Sequence, residues 1–63
     1  KISMIREIVD ILEGKFGKTI PMENVIEQAE AKGMKVDEIE DIIEKLRRTG
    51  DLFEPRRGFI QKL

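Results

Sequence analysis

The sequence contains no cysteine, histidine, tryptophan or tyrosine. Without cysteine the chain can form neither a disulfide nor a thiolate metal site. Without histidine it lacks the commonest metal ligand and the usual general base of enzymes. No apolar run reaches the length of a membrane span, and no segment has the pattern of a signal peptide. Stability must therefore come from apolar packing, helix caps and surface charge pairs.

Apolar and charged residues make up most of what is present. Each class accounts for 40% of the 63 residues, and the charged share is well above the roughly 25% of an average domain. This abundance of Lys, Arg and Glu is typical of proteins from heat-loving organisms, in which surface ion pairs gain value. Because the chain opens at Lys1 without a starting Met, we expect it to belong to a longer protein, located in the cytoplasm.

The net charge of −1 hides an uneven distribution along the chain. Residues 1–44 carry six Lys/Arg against eleven Asp/Glu, whereas residues 45–63 carry six against two. The basic excess therefore lies in the last third of the sequence, and this asymmetry says more about partners than the sum does.

Apolar residues recur at helical spacing in three segments. They predict helices over residues 3–13, 21–32 and 37–49. The residues expected to face the core are Ile5, Ile8, Val9, Leu12, Met22, Val25, Ile26, Ala29, Ile39, Ile42, Ile43 and Leu46.

Glycine and acidic residues mark the predicted ends of these helices. Gly14 and Gly17 bracket the exit of the first helix, which is expected to end near Glu13. Gly33 and Gly50 are expected to end the second and third helices. Asp37 is the predicted N-cap of the third helix, with Glu40 reaching back to it in a capping box.

A β-hairpin is predicted after the third helix. Its strands are expected over residues 51–54 and 59–63, joined by a turn at residues 55–58, with a very short strand near residues 19–20. An isolated hairpin is marginal in water, so this one must pack on the helices. The residues expected to do so are Leu52, Phe53, Phe59, Ile60 and Leu63, while Phe16 plugs the core elsewhere. This order predicts an α+β, mostly helical winged helix-turn-helix that forms one domain.

Residues 46–60 resemble the end of archaeal minichromosome maintenance (MCM) replicative helicases. In that family a helix ends in Leu-basic-basic-x-Gly, and the wing then reads Glu-Pro-basic-x-Gly, an aromatic and an aliphatic residue. Residues 54–56 (Glu-Pro-Arg) and 58–60 (Gly-Phe-Ile) fit this pattern. Arg57 stands where the family often has a second proline, which makes the wing tip looser and more basic.

The resemblance implies a non-catalytic C-terminal domain of a ring-shaped, hexameric AAA+ DNA helicase. Such a domain regulates the motor's ATPase and unwinding activity. It docks on the AAA+ motor of its own chain or on another replication protein. ATP and Mg²⁺ would belong to another part of the parent chain, and no cofactor or metal is expected in this domain. In isolation it is expected to be a monomer, with dimerisation through Phe53, Phe59 and Leu63 as the alternative.

One segment ends like a phosphate-binding loop. Residues 14–19 read Gly-Lys-Phe-Gly-Lys-Thr, but the motif requires an earlier glycine where Leu12 stands. The preceding segment is also predicted to be a helix rather than a strand. We therefore expect a helix exit and a polar loop here.

Three neighbouring carboxylates lie on the third helix, namely Glu40, Asp41 and Glu44. Such groups can act as an acid/base pair or hold Mg²⁺. However, Asp41 and Glu44 stand four residues before Lys45 and Arg48, a spacing that favours helix-surface ion pairs. A solvated charged face is the expected outcome, and no catalytic residue is predicted.

The candidate contacts for nucleic acid or a protein partner are basic residues of the last third of the chain. They are Lys45, Arg47, Arg48, Arg56, Arg57 and Lys62. Several are expected to form one patch beside the wing, where Arg56 and Arg57 could contact phosphates in weak, salt-sensitive binding. The alternative is that these residues only balance the acidic helix and its dipole.

Sequence-specific recognition of DNA is less expected than weak, non-specific binding. In helix-turn-helix proteins the start of the third helix touches base edges in the major groove. Here that start is acidic and has no early Arg, Asn or Gln to read bases. The alternative function is that of a DNA-binding domain of a transcription regulator.

Overall fold

The computed structural model describes all 63 residues as three helices and one small antiparallel sheet. The elements are α1 (Ile2–Phe16), β1 (Ile20–Pro21), α2 (Met22–Ala31), α3 (Val36–Arg48), β2 (Leu52–Arg56) and β3 (Phe59–Lys62). The strands lie in the order β1-β3-β2, so the last strand in sequence is the central one. This is the α+β winged helix that the sequence predicts. No helix combines the length and the apolar character needed to cross a membrane.

A single core of thirteen buried apolar side chains joins all six elements. Its members are Ile5, Ile8, Val9, Leu12, Ile20, Val25, Ala29, Met34, Ile39, Ile43, Leu46, Leu52 and Ile60. Of the twelve predicted core residues, Met22, Ile26 and Ile42 lie at its edge and are only half-buried. Ile20 and Ile60 pair across β1 and β3 and are both fully buried, so the core fixes the register of the sheet.

Helix α1 continues past Gly14, where the sequence predicts its end. Gly17, with φ of 86°, ends the helix instead, and its N–H donates to the Glu13 carbonyl at 2.9 Å. A glycine inside a helix costs only about 1 kcal/mol relative to alanine, so a helix can continue through Gly14, and the positive φ falls at Gly17 instead. The prediction that Phe16 plugs the core is wrong. This side chain lies in the last turn, beyond the core residue Leu12, and is 47% exposed.

The start of α2 differs from the prediction because Pro21 belongs to the sheet. Pro21 is extended and pairs with Phe59, so the helix begins one residue later, at Met22. The short strand is correspondingly shifted to Ile20–Pro21. The helix ends at Ala31, and Gly33 follows with the predicted positive φ, here 95°.

The start of α3 lies earlier than predicted. Lys35, rather than Asp37, is the N-cap residue, and Glu38, rather than Glu40, accepts its backbone N–H at 3.2 Å. Only this half of the predicted box forms, because a lysine side chain has no atom that could accept the N–H of Glu38 in return. The side chain of Met34, immediately before the cap, is buried in the core.

The wing has a longer first strand and a tighter turn than predicted. β2 has one extra residue between Phe53 and Arg56, opposite residues 59–61 of β3. Pro55 lies in this bulge of an edge strand, where its missing N–H breaks no ladder hydrogen bond. The turn is thereby reduced to residues 57–58.

Alternation along the wing strands decides which side chains reach the core. Leu52 and Ile60 are buried as predicted, whereas Phe53 and Phe59 lie on the other face and are half-buried. Leu63 follows the end of β3 and is 75% exposed, so the prediction that it packs on the helices is wrong.

Candidate nucleic-acid and partner interface

The six predicted contact residues lie in three places. Lys45, Arg47 and Arg48 belong to the end of α3, Arg56 and Arg57 to the wing tip, and Lys62 to the end of β3 far from the turn. Their ion pairs differ as well, and these partners indicate which positive charges are free to meet a ligand.

Lys62 contacts α1 rather than the wing tip. Its Nζ lies 2.6 Å from Asp10 Oδ1 and 3.6 Å from Glu13 Oε1. The hydrogen bond to Asp10, reinforced by both negative charges, raises the pKa of the Lys62 ammonium. Two carboxylates therefore balance this charge, and we assign Lys62 to the fastening of β3 onto α1.

Arg47 lies beside the wing and is held by Glu54. Its Nη2 is 3.2 Å from Glu54 Oε1, while Glu54 Oε2 accepts the backbone N–H of Gly58 at 2.9 Å. One carboxylate thus connects the end of α3 to the wing turn. This role of Glu54 was not predicted from the sequence, although its four-residue spacing from Gly58 is a signal that could have indicated it.

The remaining basic residues of α3 are exposed. Arg48 forms the predicted pair with Glu44, with 3.0 Å between Nη2 and Oε1. Such an exposed pair stabilises a helix by only about 0.3–0.5 kcal/mol. The predicted pair between Asp41 and Lys45 does not form, so Lys45 has no carboxylate partner.

The wing tip carries the densest uncompensated positive charge. The guanidinium carbon of Arg56 lies 4.6 Å from the centroid of the Phe59 ring, a cation–π contact worth about 0.5–1 kcal/mol at an exposed site. Neither Arg56 nor Arg57 forms an ion pair. The stacked guanidinium keeps N–H groups at its edge that can donate to a phosphate or a carboxylate.

The start of α3 is strongly acidic. Asp37, Glu40 and Asp41 are exposed and form no ion pair. Glu38 pairs with Lys1, and the hydrogen bond from Lys1, together with the N–H of the N-cap residue, lowers the pKa of Glu38. These negative charges would repel phosphates at the position where helix-turn-helix proteins read DNA.

Residues 14–19, which end like a phosphate-binding loop, lie between secondary-structure elements that differ from those around such a loop. Residues 14–19 complete α1 and lead into the two-residue strand β1. A phosphate-binding loop instead follows a strand and opens a helix. No group of three or more Asp or Glu side chains is placed to hold a metal ion.

Nearly the whole chain is similar to known proteins of one kind, the MCM-type proteins. It is 40% identical over 58 residues to an uncharacterized MCM-type protein of Methanocaldococcus jannaschii, which covers 92% of this chain. The chain resembles a short segment of MCM-type proteins. Two further uncharacterized MCM-type proteins of this organism are 34% identical over 58 residues and 32% identical over 62 residues, covering 92% and 97% of the chain.

The similarity covers nearly all of this chain but only a small part of each relative. The chain spans only 7–8% of the length of these MCM-type proteins. No family model and no solved structure matches it. The similarity to MCM-type proteins therefore includes the helices that precede residues 46–60 as well as the wing motif itself.

Proposed function

We propose that the chain is a non-catalytic C-terminal regulatory domain of a ring-shaped AAA+ replicative helicase of the MCM family. It docks on the AAA+ motor or on another replication protein and thereby changes ATP hydrolysis and unwinding. The observation that carries the proposal is the similarity of 92–97% of the chain to 7–8% of MCM-type proteins. A unit so small beside its relatives acts on the motor rather than performing the motor's chemistry.

The charge distribution supports a docking role over a specific DNA-reading role. The exposed carboxylates at the start of α3 oppose entry of this helix into the major groove. The unpaired wing-tip residues Arg56 and Arg57 allow weak contacts with phosphates, whichever sequence they belong to.

The test of the regulatory role is deletion in the full-length protein. Removal of residues 1–63 is expected to change the rates of ATP hydrolysis and unwinding by about fivefold, the lower end of typical coupling between sites. Hexamer formation, followed by sedimentation, serves as the control for an intact motor. Unchanged rates in a hexameric deletion protein would contradict the proposal.

The winged helix and its free wing-tip charge also support the alternative of a transcription regulator. Titration of the 63-residue chain with duplex DNA separates the two functions. We expect non-specific binding with a dissociation constant weaker than about 10⁻⁶ M at physiological salt, lost in the variant R56A/R57A. Tight, sequence-dependent binding that survives this salt would favour the transcription regulator.

A further inference from the structure

A groove runs along α2 from the wing tip. Its first half is apolar and is lined by Pro21, Met22, Glu23, Ile26, Gly58 and Phe59. Its second half is acidic and is lined by Glu23, Asn24, Ile26, Glu27 and Glu30. Glu23 and Ile26 line both halves, so the two form one continuous surface.

The apolar half has side chains that the fold leaves incompletely covered. Met22 and Ile26 pack at the edge of the core and are only half-buried. Phe59 is also half-buried and lines the groove beside them. The groove walls are held together, because the Met22 N–H donates to the Gly58 carbonyl at 2.9 Å. An apolar side chain from outside would therefore enter a site that needs no rearrangement, which favours binding.

The acidic half lacks positive partners within the chain. Glu23, Glu27 and Glu30 recur at spacings of four and three residues, so they lie on one face of α2. None of them takes part in the six ion pairs of the structure. Like charges at these spacings repel one another, and a positively charged partner would relieve the repulsion.

We propose that this α2 groove binds a basic amphipathic segment of a partner protein. One apolar side chain of the segment inserts against Met22, Ile26 and Phe59, and its Lys or Arg residues lie along Glu23, Glu27 and Glu30. Arg56, stacked on Phe59, makes the wing end of the groove positive, so only one direction of the segment places its basic residues on the carboxylates. The inference rests on the proposed docking role and specifies its surface and the charge of the partner.

The test uses a synthetic amphipathic peptide of about 15 residues, with leucine and lysine at three- and four-residue spacing. The peptide is titrated into the ¹⁵N-labelled 63-residue chain, and amide chemical shifts are recorded. We expect the changes to centre on the residues that line the groove. Changes centred on α1 or on the end of α3 would overturn the proposal, as would equal binding of a peptide with glutamate in place of lysine.

Matched variants separate the groove from general charge attraction. The variant E23K/E27K is expected to weaken binding about tenfold, because two ion pairs are replaced by repulsion. The control E7K/E40K makes the same charge change at exposed residues of α1 and α3, and it should bind almost as well as the unchanged chain. Equal losses in both variants would contradict a specific site.

The apolar contact is tested by Ile26→Ala, for which we expect about tenfold weaker binding. Ile11→Ala, at an exposed position of α1, is its control. Amide spectra that keep the signal dispersion of the unchanged chain, with shifts limited to the neighbours of the substitution, verify that both variants fold. If the groove signals move with protein concentration alone and sedimentation shows a dimer, a second copy fills the groove and the proposal is wrong. Neither ATP nor the motor is involved, so this test and the deletion experiment fail independently.

Discussion

Glu54 accepts the backbone N–H of Gly58 with one carboxylate oxygen and pairs with Arg47 through the other, at 2.9 and 3.2 Å. The first contact closes the wing turn, and the second joins the wing to the end of α3. The glutamate and glycine of the string that resembles the helicase family are thus bonded to each other. The contact uses the backbone N–H of residue 58, and it is the φ of 84° that favours glycine at that position.

The first prediction concerns Glu54, whose side chain is only 23% exposed. Glu54→Ala leaves the Gly58 N–H and Arg47 without their partner, and we expect it to destabilise the chain by about 1–2 kcal/mol. Glu54→Gln keeps an acceptor for the N–H and should lose about half as much. Urea unfolding measures both changes. Glu44→Ala, which removes only an exposed pair, should cost no more than about 0.5 kcal/mol. A cost equal to that of Glu54→Ala would contradict a stabilising role for the two contacts of Glu54.

The second prediction contrasts two glycines. Gly14 lies within α1 with no atom near the position of an added Cβ, so Gly14→Ala is expected to stabilise the chain by about 0.5–1 kcal/mol. Gly58 has equal space but a φ of 84°, so Gly58→Ala should destabilise by about 1–2 kcal/mol. Thermal unfolding of the two variants checks the sign of each change. The same sign in both would contradict a helical conformation at Gly14 or a positive φ at Gly58.

The third prediction follows from the raised pKa of Lys62. A cation with a higher pKa in the folded state stabilises that state fully below its unfolded pKa, and loses the effect as pH rises through the folded one. Lys62→Met should therefore be less stable than the unchanged chain at neutral pH, with the difference shrinking as pH rises above 10.5. Melting temperatures across this range test it. Lys45→Met, at a site without an ion pair, is the control for removing one surface charge.

The fourth prediction concerns the central pair of the sheet. Ile60 is fully buried opposite Ile20, so Ile60→Ala is expected to cost about 2–5 kcal/mol, most of the stability of so small a chain. Ile60→Val should cost about 0.5–1.5 kcal/mol and leave the chain folded. Circular dichroism and denaturant unfolding measure both. Ile11→Ala, at an exposed site, is the control for a change in volume alone.

Local patterns predicted the architecture well because periodicity and turn residues act over a few positions. Ile5, Ile8, Val9 and Leu12 repeat with the helical period and are buried together. The end of α1 could not be read in the same way, because a glycine costs a helix interior only about 1 kcal/mol. Two glycines stand near this end, and only the structure shows that Gly17, with its positive φ, is the one that ends the helix.

The candidate contacts were harder to predict because their partners are distant in sequence. Lys62 pairs with Asp10, 52 positions away, and nothing in the local pattern distinguishes it from Arg57, which has no partner. The α2 groove likewise depends on contact between Met22 and Gly58, which only the folded chain reveals.

The position of β3 has a consequence for the time course of folding. The central strand of the sheet comes last, and its Ile60 pairs with Ile20 of the first strand. Closing so long a loop is entropically unfavourable before its contacts form. While the chain emerges from the ribosome, its three helices lack their sheet. The domain is therefore expected to reach its native state in one late, cooperative step, once its last strand is available.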